Sequence, residues 1–145
     1  QGELFARSTV VDYVFERDRV YAELLLSSAE LALYDRIFHL LAPRAVAPDL
    51  LVALRAKPER LLERLRARDA PHERPISLGL LERLVEGYGA LLGRWRASPV
   101  VAVDVSEVEL AEHEDALDAL IGEVLRVGAG LSPGERIEMR PPRSP

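Results

Sequence analysis

Arginines recur through the second half of the segment Pro48 to Pro75, PDLLVALRAKPERLLERLRARDAPHERP, and they are the side chains of this chain best suited to chemistry. Arg60, Arg64, Arg66, Arg68 and Arg74 could form a phosphate clamp. A guanidinium binds phosphate oxygens through two parallel N–H groups and screens the charge that develops in phosphoryl transfer. Arg64 and Arg68 stand one helical turn apart, so they can point at one ligand, and Arg60 could join them. The alternative is a solvated helix face with Glu59 and Glu63 as ion-pair partners, and composition alone favours it. A second group, Arg7-Ser8 followed by Asp12, sets a cation, a hydroxyl and a carboxylate close together where a strand-like segment gives way to a helix. It could grip a substrate hydroxyl or the edge of a base; helix capping by Ser8 or Asp12 is the simpler account. His39, His72 and His113 share no ligand-like spacing and there is no cysteine, so no metal site is assigned. No serine lies in a nucleophile motif.

The elements that must position these residues follow from periodicity. The apolar run up to Leu54, bounded by Pro48 and Arg55, reads as a strand buried on both faces of a parallel sheet. Pro58 suits the first turn of the helix that follows, which packs through Leu61, Leu62 and Leu65 and stops in a loop from Asp69 to Pro75. Val100 to Val103, after the break at Ser98-Pro99, reads as a second strand parallel to the first, because a helical crossover joins the two. Ligands in such sheets sit beyond the carboxyl ends of the strands, which singles out Arg55, the Asp69 to Pro75 loop, and Asp104 with the loop Val105 to Glu109.

Elsewhere the chain reads as helical. A helix from about Asp12 carries Val14, Tyr21 and Leu25. A second opens with a Ser27/Glu30 capping box and runs a core stripe of Leu31, Tyr34, Ile37, Phe38 and Leu41. Leu81, Leu84, Tyr88, Leu91 and Trp95 mark a third, weakened locally by Gly87, Gly89 and Gly93. Leu117, Leu120, Ile121, Val124 and Leu125 mark the last. From Gly128 the chain is rich in Gly and Pro, so residues 1–130 read as the folded part and 131–145 as a disordered tail.

Composition bounds the function. The chain has 145 residues, 48% of them hydrophobic, enough for a substantial core. A net charge of -5 argues against broad nucleic-acid binding, and no apolar run is long enough to span a membrane. The lack of cysteine fits a reducing, cytoplasmic compartment. The sequence holds no G-x-x-x-x-G-K-[ST] and no G-x-G-x-x-G phosphate loop. It begins at Gln1 rather than Met and reads as part of a longer product.

The segments DYVFERDRVYAELLLSSAELALYDRI, PDLLVALRAKPERLLERLRARDAPHE, LLERLVEGYGALLGRW and SPVVAVDVS, in that order, resemble the bacterial deoxynucleoside kinases, the deoxyadenosine and deoxyguanosine kinases related to thymidine and deoxycytidine kinases. The resemblance runs from Leu4 to about Glu109. It implies an α/β fold with a parallel sheet flanked by helices, P-loop kinase-like, of which this chain would be the C-terminal portion. It further implies transfer of the γ-phosphate of ATP, with Mg²⁺, to the 5′-hydroxyl of a deoxynucleoside, and a homodimer built through two long helices.

Matched to the family's motifs, Arg7 is the arginine near the 5′-hydroxyl and the transferring phosphate, and Asp12 helps read the base. Arg64 and Arg68 match lid arginines that in the family reach the donor phosphates, and Glu73 matches the lid glutamate near the sugar 3′-hydroxyl. Asp104, Ser106, Glu107 and Val108 fall in the loop that corresponds to the one lying against the donor's adenine in the family. Ala6 stands where the family usually has a metal-holding carboxylate, and Asp69-Ala70 where a Gly-Arg pair is common. Two rival readings follow: a non-catalytic regulatory or dimerising module derived from this fold, which Ala6 and Ala70 favour, and another small-molecule kinase sharing the lid.

Overall fold

The computed structural model describes residues 9–12, 14–109 and 114–141. Five helices and three strands follow one another: α1 Arg17–Leu25, α2 Ser28–Leu41, β1 Leu51–Arg55, α3 Pro58–Arg68, α4 Leu78–Arg94, β2 Val100–Asp104, α5 Glu114–Gly128 and β3 Arg136–Met139. The sheet has the order β1-β2-β3 and is parallel throughout. Leu51 lies opposite Val100 and Arg55 opposite Asp104, so the two apolar runs pair as their composition predicts, with α3 and α4 as the crossover.

Alternate residues of β2 face two cores. Val100 points into a cluster with Val20 of α1 and Leu91, Leu92 and Trp95 at the end of α4, against which Leu51 and Ala53 pack. Val101 and Val103 point the other way, into a cluster with Val105 and with Leu120 and Val124 of α5. Helices therefore cover both faces of β2, which explains why its apolar run does not alternate. Each such valine contributes roughly 1.5–3 kcal/mol by leaving water. Trp95 also donates from its indole Nε1 to the buried Ser98 Oγ at 3.1 Å, closing the corner between α4 and β2.

Three expectations need correction. First, β1 is not buried on both faces: Val52 and Leu54 are 43% and 61% exposed. In register with Val101 and Val103 they face the α5 side, but α5 lies over β2 and leaves the edge strand open. Second, the segment after Leu131 is not wholly a disordered tail, because Arg136–Met139 pairs with β2 from Val100↔Arg136 to Val103↔Met139. Its glycine and proline belong to the turn before the strand, where Gly134 takes φ 85° and its N–H donates to Ser98 O at 3.3 Å. The strand itself alternates polar and apolar residues, and Met139 packs on the α5 core. Third, the apolar stripes of α2 and α5 are only partly interior. Phe38 is buried and stacks on Phe15 at 4.9 Å between centroids, but Ile37 and Leu41 are exposed, as are Leu117, Ile121 and Leu125.

The Ser27/Glu30 capping box forms as read, with Ser27 N–H and Oγ both donating to Glu30 Oε2. Those bonds hold the Glu30 carboxyl below its usual range. No helix among the described residues is long and apolar enough to cross a membrane.

Candidate functional site

Parallel strands bring their carboxyl ends to one edge, and a cavity of about 460 Å³ opens there, lined in part by Arg55, Lys57, Asp104, Ser106, Glu138 and Arg140. Arg55 and Asp104 are register partners at the ends of β1 and β2. Asp104 Oδ1 accepts from the Ser106 backbone N–H at 2.9 Å, and the Lys57 N–H donates to Ser106 Oγ at 3.1 Å, which ties the start of α3 to the loop after β2. The bonds from Ser106 hold the Asp104 carboxyl below the usual carboxylate range, so it is a fixed negative charge at neutral pH. Arg55 donates from Nη1 to Glu138 Oε1 at 3.0 Å, a contact supplied by β3. Glu107 points outward and meets Lys57 Nζ at 3.6 Å with both side chains exposed.

Above this edge, α3 begins with Pro58 in its first turn and ends at Asp69, whose φ of 46° puts it in the left-handed region. A short 3-10 turn, Pro71–Glu73, leads back to α4. Arg66 braces this return by donating to the carbonyls of Arg74 and Ile76 at 3.0 and 2.8 Å. Arg68 Nη2 lies 2.9 Å from Glu73 Oε1. The Glu73 side chain is only 17% exposed, and its second oxygen, Oε2, is buried without a hydrogen-bond partner. A buried carboxylate oxygen left unpaired costs about 1–3 kcal/mol or more.

Arg64 is placed differently from Arg68. Its Nε donates to Glu109 Oε1 and Oε2 at 2.9 and 3.1 Å, and its Nη2 donates to the carbonyls of Val105 and Val108 at 2.8 and 2.7 Å. Arg60 adds a bond from Nε to Ser106 O at 3.0 Å and also pairs with Glu63 and Glu109. Of the residues singled out in the sequence, the structure thus brings together Arg64, Asp104, Ser106 and Val108 in one group and Arg68 with Glu73 in another. Arg64 and Arg68 share no partner here. The solvated-face reading holds for Arg60 with Glu63, but it misses the bonds of Arg60 and Arg64 to the loop. Asp12 is exposed in the lead-in to α1 and bonds to none of the other described residues. Arg7, Ala6, Ser8 and His113 lie outside the described residues. Sequence reasoning missed the partners Glu109 and Glu138; the alternation in Arg136–Met139 was the available signal for the second.

The described residues contain no group of three His, Asp or Glu side chains that could hold a metal ion. With alanine at position 6 as well, these residues do not assemble a Mg²⁺ site of their own.

The family model for deoxynucleoside kinase matches residues 1–127. Over 79 residues the chain is 32% identical to a deoxyguanosine kinase of Bacillus subtilis (strain 168), covering 54% of this chain and 38% of that protein. Over 108 residues it is 32% identical to a deoxyadenosine kinase of Dictyostelium discoideum, covering 70% of this chain and 44% of that protein. The chain therefore spans less than half the length of these relatives, and β3 lies past the residues that the family model matches. A parallel sheet with its ionic groups gathered at the strand ends, and a family match over most of the sequence, place the chain in the deoxynucleoside kinase family.

Proposed function

We propose that the protein containing this chain transfers the γ-phosphate of ATP to the 5′-hydroxyl of a deoxynucleoside. The observation that carries the reading is the Arg68–Glu73 pair with its unpaired, buried Glu73 Oε2. Once the 69–75 segment moves to uncover it, Oε2 would be satisfied by a sugar hydroxyl donating to it, which would bring the nucleoside next to the Arg68 guanidinium, where donor phosphate charge needs a partner. Arg7 and Asp12 would act on the reacting phosphate and the base, and the loop carrying Asp104, Ser106, Glu107 and Val108 would lie against the donor's base. Mg²⁺ bound with ATP would neutralise phosphate charge, and the residues here leave its ligands to be supplied from elsewhere.

Replacing Glu73 by glutamine tests the acceptor role: the nucleoside KM should rise about tenfold while the ATP KM stays level, the loss of one charge-assisted hydrogen bond. An unchanged nucleoside KM would sink that assignment. A second reading, a non-catalytic module of the same fold, is favoured by Ala6 and Ala70, which remove a metal carboxylate and one lid arginine. We further propose a homodimer through α1 and α2, supported by the exposed Leu33, Ile37 and Leu40 on one face of α2.

A further inference from the structure

Three of the carbonyls in the short loop after β2 are turned toward α3. Val105 O and Val108 O accept from Arg64 Nη2, and Ser106 O accepts from Arg60 Nε. Glu109 closes the arrangement by taking Arg64 Nε on both its oxygens and Arg60 Nη2 at 3.3 Å. Such a network is stronger than a surface ion pair, because the same guanidinium groups satisfy backbone acceptors and a carboxylate in fixed geometry. Among the described residues every peptide bond is trans. Turning the carbonyls of Ser106 and Val108 toward α3 therefore aims the N–H groups of Glu107 and Glu109 away from it.

We infer that Arg60, Arg64 and Glu109 form a strut that sets which way loop 105–109 presents its amides, and that Arg64 is a positioning residue for the donor, not a phosphate ligand. The choice of ligand rests on the kinase reading above; the strut itself does not. Phosphate contact would require Arg64 to give up four bonds to the loop, whereas Arg68 has one contact to release. The loop and the base of the lid then move as one piece, and Arg68 alone of the pair is left for the transferring group.

The test uses the intact protein with Arg64→Ala, Arg64→Lys and Glu109→Gln. Amide hydrogen exchange across 105–109 should speed up by about tenfold or more in Arg64→Ala, since local opening loses its main restraint. The ATP KM should rise about tenfold with turnover within about threefold and the nucleoside KM unmoved. Arg64→Lys should not restore either value, because an ammonium cannot reproduce the fork. Glu109→Gln, nearly the same size and at a half-exposed side chain, should move both readouts in the same direction by less, and it serves if Arg64→Ala does not fold. A fall in turnover of about 10²-fold with the ATP KM unchanged in Arg64→Ala would identify a phosphate ligand and overturn the inference. Unchanged exchange in both Arg64→Ala and Glu109→Gln would overturn it too. If the wild-type protein shows no turnover the kinase reading fails, and the exchange result alone decides the strut.

Discussion

Two arginines one turn apart on α3 have different partners. Arg64 reaches acceptors 41 to 45 positions away in sequence, brought to it only when the crossover closes β1 onto β2. Arg68 meets Glu73 across the short turn that ends α3. The spacing of the arginines was legible in the sequence, but the identity of their acceptors was not, since helical periodicity says nothing of a loop so distant in the chain. Asp69 is a further case at this scale. Its left-handed backbone suits glycine, and aspartate is among the few other residues that tolerate it. Its ion pair with Arg74 is exposed on both sides and contributes little. Asp69→Gly is therefore expected to be at least as stable as wild type, and Asp69→Ala less stable by about 1 kcal/mol, read as thermal midpoints. An alanine variant more stable than the glycine variant would refute the left-handed backbone at position 69.

The glycines of α4 show how one residue type can serve two purposes along one helix. A Cβ at position 87 would meet Val20 Cγ1 at 2.7 Å, so α1 and α4 approach closely at Gly87, beside the edge-to-face pair Tyr21 and Tyr88. Burial there pushes the Tyr88 hydroxyl up to about 12, so it stays protonated at physiological pH. Gly89 and Gly93 face open space. Gly87→Ala should cost about 1–3 kcal/mol through overpacking, while Gly93→Ala should stabilise by up to about 1 kcal/mol through helix propensity. Denaturant midpoints ordering the two the other way would show that α1 does not dock as described. Gly87, Gly89 and Gly93 read alike in the sequence as weak points of a helix. The parallel pair β1 and β2 was legible because both runs are apolar and a crossover joins them. The third strand was not read, because the Gly and Pro of its preceding turn hid four alternating residues, Arg136 to Met139. The exposed halves of the α2 and α5 stripes mark the limit of periodicity, which identifies an apolar face but not what covers it.

For the whole molecule, Leu33, Ile37 and Leu40 stand at i, i+4 and i+7 on α2 and are 59%, 50% and 73% exposed, an apolar seam suited to a second copy. The double variant Leu33→Glu, Ile37→Glu should sediment as a monomer where the wild type is a dimer, with its far-ultraviolet circular dichroism unchanged. A wild-type monomer at high micromolar concentration would refute the seam. The account as a whole stands on Arg68 serving the transferring phosphate beside a nucleoside held by Glu73. The measurement that reaches it most directly is steady-state kinetics of the intact protein with ATP, Mg²⁺ and each deoxynucleoside, wild type against Arg68→Ala. Wild-type turnover with a deoxynucleoside, falling roughly 10³-fold in the variant with little change in either KM, is the predicted result. Equal turnover in the two would reduce Arg68 to a solvated surface charge, and no turnover in the wild type would contradict the kinase reading in favour of the non-catalytic module.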